Sequence, residues 1–363
     1  MENNTNAPDL VDLLREVAST HCSDLHLATG RPPSFRKNGN ITLGDYLPIE
    51  SRMCREMILG MLNENQRAEL EKKRELNFGV QIRGVGRFRG NAHYSRGSLE
   101  ATFRFIPATI PALSDIGLRP TVYSLCDLTR GLILVTGSTG SGKTTSIAAM
   151  VKHISEQRAG VIITVEDPVE FYFENARSIV KQREVGIDTL SFSDALENIL
   201  RQDPDVVVVG ELRDQETVRA TLKAAETGHL VISTLHTMDA PQALDRILDF
   251  FPGNEQKQIL STLADSLAGI IAQRLVPQEN SDRRVLVSEM LTSTPAVKRA
   301  IREHHFEQLV GMMEAGRKDG MYTLDEVLED LYVNGMISKE EAVAGARDPE
   351  RMEALRRKPA QKA

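Results

Sequence analysis

The chain has no tryptophan, only three cysteines among its 363 residues, and no apolar run that approaches the roughly 18 residues of a bilayer span. The cysteines, Cys22, Cys54 and Cys126, are far apart and form no C-x-x-C pair, which argues against a disulfide framework and against a cysteine zinc site. The first residues lack the basic and then apolar pattern of a secretory signal peptide. We therefore expect a cytoplasmic protein with reduced, structural cysteines.

Acidic residues outnumber basic residues, 51 to 44, and the formal net charge is −7. A protein whose main partner is a nucleic-acid backbone normally presents a basic face, so we expect no nucleic-acid partner. Hydrophobic residues make up 41% of the chain, which is enough for real cores, and the length allows two or three domains.

The most informative stretch is Gly137–Thr144, GSTGSGKT, which fits the pattern G-x-x-x-x-G-K-[ST] and directly follows an apolar run. Its glycines let the backbone aim successive N–H groups at one anion, and the helix that begins near Lys143 adds its positive dipole end. An ordinary glycine-rich turn is the alternative, but the preceding strand favours a phosphate-binding loop. The residues predicted to bind ATP are Gly137, Ser138, Thr139, Gly140, Ser141, Gly142, Lys143, Thr144 and Thr145.

The pattern of the chain predicts three regions and a linker. Residues 1–107 contain short alternating stretches and hairpin signals, typical of a small α+β domain with an antiparallel sheet. A proline-containing linker occupies 108–120. Residues 121–289 alternate apolar runs with helical segments, which predicts an α/β domain with a parallel sheet covered by helices. Residues 290–363 are predicted to be helical only.

Acidic residues and histidines lie beside the predicted parallel strands, where ligands of open α/β sheets bind. Glu166 and Glu170 follow the strand Val161–Val165, and Glu211 follows a second apolar run. Such carboxylates can hold Mg²⁺ or orient water. His229 and His236 bracket a third strand. The alternative is that each histidine is simply a hydrogen-bonded core or surface residue with no role in the reaction. The predicted strands are Leu132–Thr136, Val161–Val165, Val206–Val209 and Leu230–Ser233.

Four segments together resemble the secretion ATPases of the type II and type IV pilus superfamily. The phosphate loop corresponds to Walker A, Ile163–Phe171 resembles the aspartate box, Asp203–Asp214 the Walker B segment, and Thr227–His236 the histidine box. They occur in family order and spacing. The resemblance covers about residues 10 to 345.

Within that superfamily the chain resembles the PilT/PilU retraction ATPases of type IV pili. Ser23–Leu27, Gln182–Gly186 and Ala296–Glu303 are similar to signatures of that group, although the last segment departs from the usual AIRNLIRE. The resemblance implies a PAS-like N-terminal domain, a RecA-like P-loop ATPase domain, a helical C-terminal region and a homohexamer. It also implies a position at the inner face of the inner membrane, peripheral and not inserted. The implied partners are a pilus platform protein and a paralogous retraction ATPase.

The resemblance also implies roles for the site residues. Lys143 would bind the β- and γ-phosphates, Thr144 and Glu211 would be the Mg²⁺ ligands, and Glu170 would orient or deprotonate the attacking water. Glu166 is the second candidate for the base. The histidine pair, His229 and His236, would sense the γ-phosphate.

A basic run in the N-terminal domain gains a role from the implied ring. Arg89 and Arg104 match family positions from which an arginine could reach a neighbouring subunit's nucleotide, and Arg96 is a weaker candidate. The bland interpretation is a solvated strand face. Asn38 stands where relatives often carry an aspartate, so a ribose contact there would be altered.

Two other function classes remain open from the sequence. A pilus assembly or type II secretion ATPase typically has a tetracysteine zinc insertion and a longer N-terminal extension, and this chain has neither. A non-hydrolysing accessory ring would not need the intact loop and acids. The sequence therefore favours a hydrolysing retraction motor.

Overall fold

The computed structural model describes residues 9–20, 22–37, 39–106 and 109–356. They form two compact units, one with the residues up to Thr109 together with Pro168–Tyr172, the other with Ile110–Asp167 and the chain from Phe173 onward. Asn38, the residue of the altered ribose hypothesis, lies outside the described residues.

The first unit contains an antiparallel sheet with the strand order β3-β2-β1-β6-β5-β4, as the hairpin signals predicted. The apolar face of the amphipathic helix α1 is buried in the core of this unit, together with Phe78, Phe88 and Phe103. The elements are α1 (Leu10–Ser19), β1 (Asp24–Leu27), β2 (Ser34–Lys37), β3 (Asn40–Leu43), α2 (Ser51–Gly60), α3 (Glu64–Lys73), β4 (Glu75–Ile82), β5 (Gly86–Ser95) and β6 (Ser98–Ile106).

The second unit is built on a sheet with the order β13-β12-β7-β11-β10-β8-β9, parallel except for the β12–β13 pair. The four predicted strands are present as β7, β8, β10 and β11. The elements are α4 (Val122–Cys126), β7 (Gly131–Thr136), α5 (Lys143–Gln157), β8 (Val161–Glu166), β9 (Ile179–Glu184), α6 (Phe192–Ile199), β10 (Val206–Val209), α7 (Gln215–Glu226), β11 (Leu230–Leu235), α8 (Ala240–Asp249), α9 (Gly253–Ser266), β12 (Leu267–Pro277), β13 (Arg284–Thr292), α10 (Pro295–Arg302), α11 (Leu309–Ala315), α12 (Leu324–Val333), α13 (Lys339–Gly345) and α14 (Pro349–Ala354).

Helices cover both faces of this sheet and enclose two cores. In β7, Leu132 and Leu134 belong to one core with residues of α6 to α10, whereas Ile133 and Val135 belong to the other with residues of α4, α5 and α12. Successive side chains of a strand point to opposite faces, so a strand covered on both sides needs an unbroken apolar run. The α/β fold with a RecA-like ATPase domain is confirmed.

The end of the sheet differs from the prediction that only helices follow Glu289. Strand β13 continues to Thr292, because Met290 and Leu291 are buried and their backbone pairs with β12. Helix α10 begins only at Pro295, a residue suited to the first helical turn. None of the helices in the described ranges is both long enough and apolar enough to cross a membrane.

Candidate nucleotide site

The candidate residues of the second unit meet at one edge of its sheet. The phosphate loop follows β7, Glu166 is the last residue of β8, Glu211 comes two residues after β10, and His236 directly follows β11. These strands are parallel, so their carboxyl ends lie side by side. This is the edge at which open α/β sheets bind ligands.

The glycines of the phosphate loop adopt backbone conformations that other residues rarely take. Gly137 has φ +144°, Gly140 +79° and Gly142 +90°, and Gly142 is the N-cap of α5. The loop therefore ends on the N-terminus of a 15-residue helix, where unpaired N–H groups and the helix dipole favour an anion.

Gln273 of β12 supports the loop from the neighbouring strand. This side chain is buried, and its Nε2 donates a hydrogen bond of 2.9 Å to the carbonyl of Ser141. A Cβ atom on Gly137 would lie 2.2 Å from the carbonyl oxygen of Gln273, so only glycine fits there. Sequence reasoning missed Gln273, although a lone glutamine within an apolar strand was a signal that could have indicated it.

A chain of polar contacts links Walker A to Walker B through one histidine. Lys143 Nζ donates to the carbonyls of Gly137 at 2.7 Å and Ser138 at 3.0 Å, and lies 3.4 Å from His236 Nδ1. His236 Nε2 lies 3.1 Å from Glu211 Oε1. Burial lowers the pKa of Lys143, and the nearby Glu211 carboxylate opposes that shift.

Neighbouring side chains orient Glu211 and Glu166, the two candidate carboxylates of the second unit. Arg213, which lies in the quoted Walker B segment but received no predicted role, is 2.9 Å from Glu211 Oε2 and 3.8 Å from Asp167. Glu166 Oε1 accepts hydrogen bonds from Thr164 at 2.6 Å and from Gln182 at 3.1 Å. Both carboxylates are therefore held in fixed orientations at the site edge.

Glu170 belongs to the first unit, where it meets one of the predicted arginines. Arg89 Nη1 lies 3.6 Å from Glu170 Oε1, and both side chains are about one-third exposed, at 38% and 30%. Arg104 is directly opposite Arg89 in the β5–β6 ladder. Its Nε donates to the buried Asp24 at 2.8 Å while its side chain remains 63% exposed.

Two predicted residues lie apart from these groups. Arg96 forms a tight turn with Gly97, both with positive φ, at the far end of the β5–β6 hairpin from Arg89. His229 precedes β11, at the opposite edge of the sheet from His236, and its carbonyl accepts from Gly131 at the start of β7. The two histidines stand at the two ends of β11, so the length of that strand separates them.

The residues at the edge fit a magnesium ion that arrives with a nucleotide. The described ranges contain no cluster of three or more His, Cys, Asp or Glu side chains able to hold a metal ion. Mg²⁺ in nucleotide sites needs only one or two protein ligands, because phosphates and waters supply the rest. Thr144 is exposed in the first turn of α5, and Glu211 is 20% exposed at the same edge. Both offer the oxygen ligands that Mg²⁺ prefers.

Comparison with known proteins agrees with this geometry. The family model of the type II/IV secretion system protein matches residues 118–357. The type IV pilus retraction ATPase PilT of Pseudomonas aeruginosa is 41% identical over 94% of this chain and 99% of its own length. The type IV pilus ATPase PilU of the same organism is 40% identical over 92% of this chain and 87% of its own length.

A solved structure extends the match to three dimensions. The crystal structure of the pilus retraction motor PilT with bound ADP has a TM-score of 0.88 to this chain, with 42% identity, and covers 96% of this chain and 100% of that one. The resemblance inferred from the motifs is confirmed over nearly the whole length. The chain therefore belongs to the type II/IV secretion system protein family, and within it to the PilT-type retraction ATPases of type IV pili.

Proposed function

We propose that this chain forms a homohexameric ring on the cytoplasmic face of the inner membrane, where Mg-ATP hydrolysis drives retraction of type IV pili and twitching motility. The observation that carries the proposal is the polar chain Lys143–His236–Glu211 at the carboxyl edge of the sheet. It brings together at one site the phosphate-binding lysine and the Walker B acid, two groups that phosphoryl transfer on a phosphate loop uses.

The residues of the site divide the work of phosphoryl transfer. Lys143 and the loop N–H groups bind the phosphates, and Thr144 and Glu211 would hold Mg²⁺, which neutralises phosphate charge when bound. Glu170 orients or deprotonates the attacking water, with Glu166 as the second candidate. Phosphoryl transfer needs little covalent chemistry from the protein, so positioning and charge stabilisation supply most of the rate.

The ring gives the arginines of the first unit their role. Subunits related by a closed rotation contact each other through two different surfaces, so one subunit can complete its neighbour's site. Arg104 and Arg89 are the candidates to stabilise the γ-phosphate in this way. The proposed partners are a pilus platform protein of the inner membrane and a paralogous retraction ATPase, with no role for nucleic acid.

A gene deletion with complementation tests retraction directly. Loss of a retraction motor should leave cells with more or longer pili and poor twitching, whereas loss of an assembly motor leaves cells without pili. Lys143→Ala should fail to restore twitching and should lack Mg-dependent ATPase activity, because phosphate binding is lost. Lys223→Ala, at an exposed position of α7, is the matched control and should restore both. Deletion cells that lack pili would support the assembly alternative. A wild-type protein that does not hydrolyse ATP would support the accessory-ring alternative.

A further inference from the structure

The position of His236 depends on where the next helix begins. Only Thr237 and Met238 separate it from Asp239, the N-cap of α8, whose carboxylate accepts from the backbone of Gln242 at 2.8 Å. A connection this short couples the position of the helix start to that of the histidine, since the three Cα–Cα steps from one to the other span at most about 11 Å.

A buried carboxylate holds the first turn of α8. Glu289 of β13 has a side-chain exposure of 0%, and its Oε1 accepts from the backbone N–H of Ala240 at 2.9 Å. That N–H is one of the groups that a helix start leaves without an internal partner. Burial raises the pKa of the Glu289 carboxyl, and Arg347 opposes that shift.

Arg347, after the last turn of α13, joins β13 to the start of α8. One of its terminal nitrogens lies 2.9 Å from Glu289 Oε2, and the other donates to Oε1 at 3.0 Å. The second nitrogen also lies 3.4 Å from Asp239 Oδ2. A single guanidinium thus bridges the buried acid and the N-cap of the helix that follows His236.

The backbone of Arg347 is held as firmly as its side chain. The carboxylate of Asp325, in the first turn of α12, accepts from the N–H of Arg347 at 2.8 Å and from that of Asp348 at 3.0 Å. Asp325 is itself buried. The C-terminal helices therefore place the guanidinium, and the guanidinium places the start of α8.

We propose that Arg347 is a positioning residue for ATP hydrolysis, which fixes the start of α8 and thereby keeps His236 between Lys143 and Glu211. The inference rests on the proposed function of that site and assigns the C-terminal helices a part in it. Arg347 acts through His236 and touches neither the nucleotide loop nor the Walker B acid.

The test is a double-mutant cycle on hydrolysis, measured under single-turnover conditions so that slow variants remain measurable. Arg347→Gln should lower the rate by on the order of ten- to a hundredfold, because a small misplacement of a catalytic group is costly. The concentration that gives half the maximal single-turnover rate should change by less than about threefold, since the phosphate loop is untouched. Arg351→Gln is the matched control, because this half-exposed arginine forms a surface ion pair with Glu329 at 3.0 Å, and it should leave the rate unchanged.

The decisive measurement is Arg347→Gln in a His236→Ala background. If Arg347 acts through His236, the second change should alter the rate by less than about twofold. An equal loss in both backgrounds would reject the inference, as would an unchanged rate in the single variant. If Arg347→Gln fails to fold, Arg347→Lys replaces it in the same cycle and is judged by the same criterion. Lysine keeps the positive charge but lacks the planar guanidinium that contacts two carboxylates at once. A wild type without Lys143-dependent hydrolysis would instead contradict the proposed function.

Discussion

At the scale of single residues, Lys143 illustrates how the site stabilises a buried charge. The residue is 9% exposed, and carbonyl oxygens of its own loop replace the water that its ammonium group loses. A buried charge is costly unless such partners are supplied. The same residue thus stabilises the loop and carries the charge that phosphate binding needs.

Glu170 gives the sharpest prediction at this scale. Glu170→Gln keeps the shape of the side chain but removes its ability to accept a proton, so turnover should fall by about a hundredfold or more while ATP binding survives. Its ion pair with Arg89 is partly exposed, so the free energy of unfolding should change by less than about 1 kcal/mol. Hydrolysis, nucleotide binding and thermal unfolding check the three statements.

An exposed glutamate nearby supplies the control for that measurement. Glu174→Gln should change neither turnover nor stability. Undiminished turnover in Glu170→Gln would remove Glu170 from the catalytic role, and Glu166 would then be the residue to replace.

At the scale of elements, the phosphate loop depends on the strand beside it. β12 pairs with β7 in parallel, and this pairing brings Gln273 next to the loop that follows β7. The loop conformation is therefore a property of two strands together, and not of the motif alone.

Gly137→Ala tests that dependence. The new methyl group would collide with the carbonyl of Gln273 in a backbone conformation that alanine disfavours, so nucleotide binding should be lost and stability should fall by about 1–3 kcal/mol. Gly311→Ala in α11 is the matched control, because no atom lies within 4 Å of its added carbon. It should raise stability by about 0.5–1 kcal/mol. Equal behaviour of the two variants in chemical unfolding and nucleotide titration would contradict the steric argument.

At the scale of the whole molecule, the residues proposed for catalysis are divided between two compact units. Lys143 and Glu211 lie in the second, whereas Arg89, Arg104 and Glu170 lie in the first. Asp24 holds Arg104 at 2.8 Å yet leaves its side chain largely exposed, so the guanidinium can turn to another anion. Such a division suits a ring in which subunits share sites.

Mixed rings provide the test at this scale. Arg104→Ala and Lys143→Ala subunits should each be inactive alone, because each lacks one half of a site. Mixed together they should regain part of the ATPase activity if the arginine acts on a neighbour's nucleotide, since some interfaces then combine two intact halves. No recovery, with mixed rings verified by differential tagging, would favour action within one subunit or no catalytic role.

The amino-acid sequence by itself determined the parts of this protein that depend on local pattern. The glycine spacing at 137–142 specifies a phosphate loop, and apolar runs such as Val206–Val209 specify strands buried on both faces. Because chemistry and periodicity are both local here, the fold class, the family and the residues of the site edge could be predicted.

Tertiary structure alone decided which of those residues meet. Gln273 contacts Ser141 across 132 positions, and Arg347 contacts Glu289 across 58, distances that no local pattern encodes. The histidines show that residues close in sequence can also be far apart in the fold. His229 and His236 are only seven positions apart, but a strand runs between them, so they lie at opposite edges of the sheet. Ion pairs and supporting hydrogen bonds arise from the order of strands and the packing of helices, and these follow from the burial of whole faces and not from any single motif.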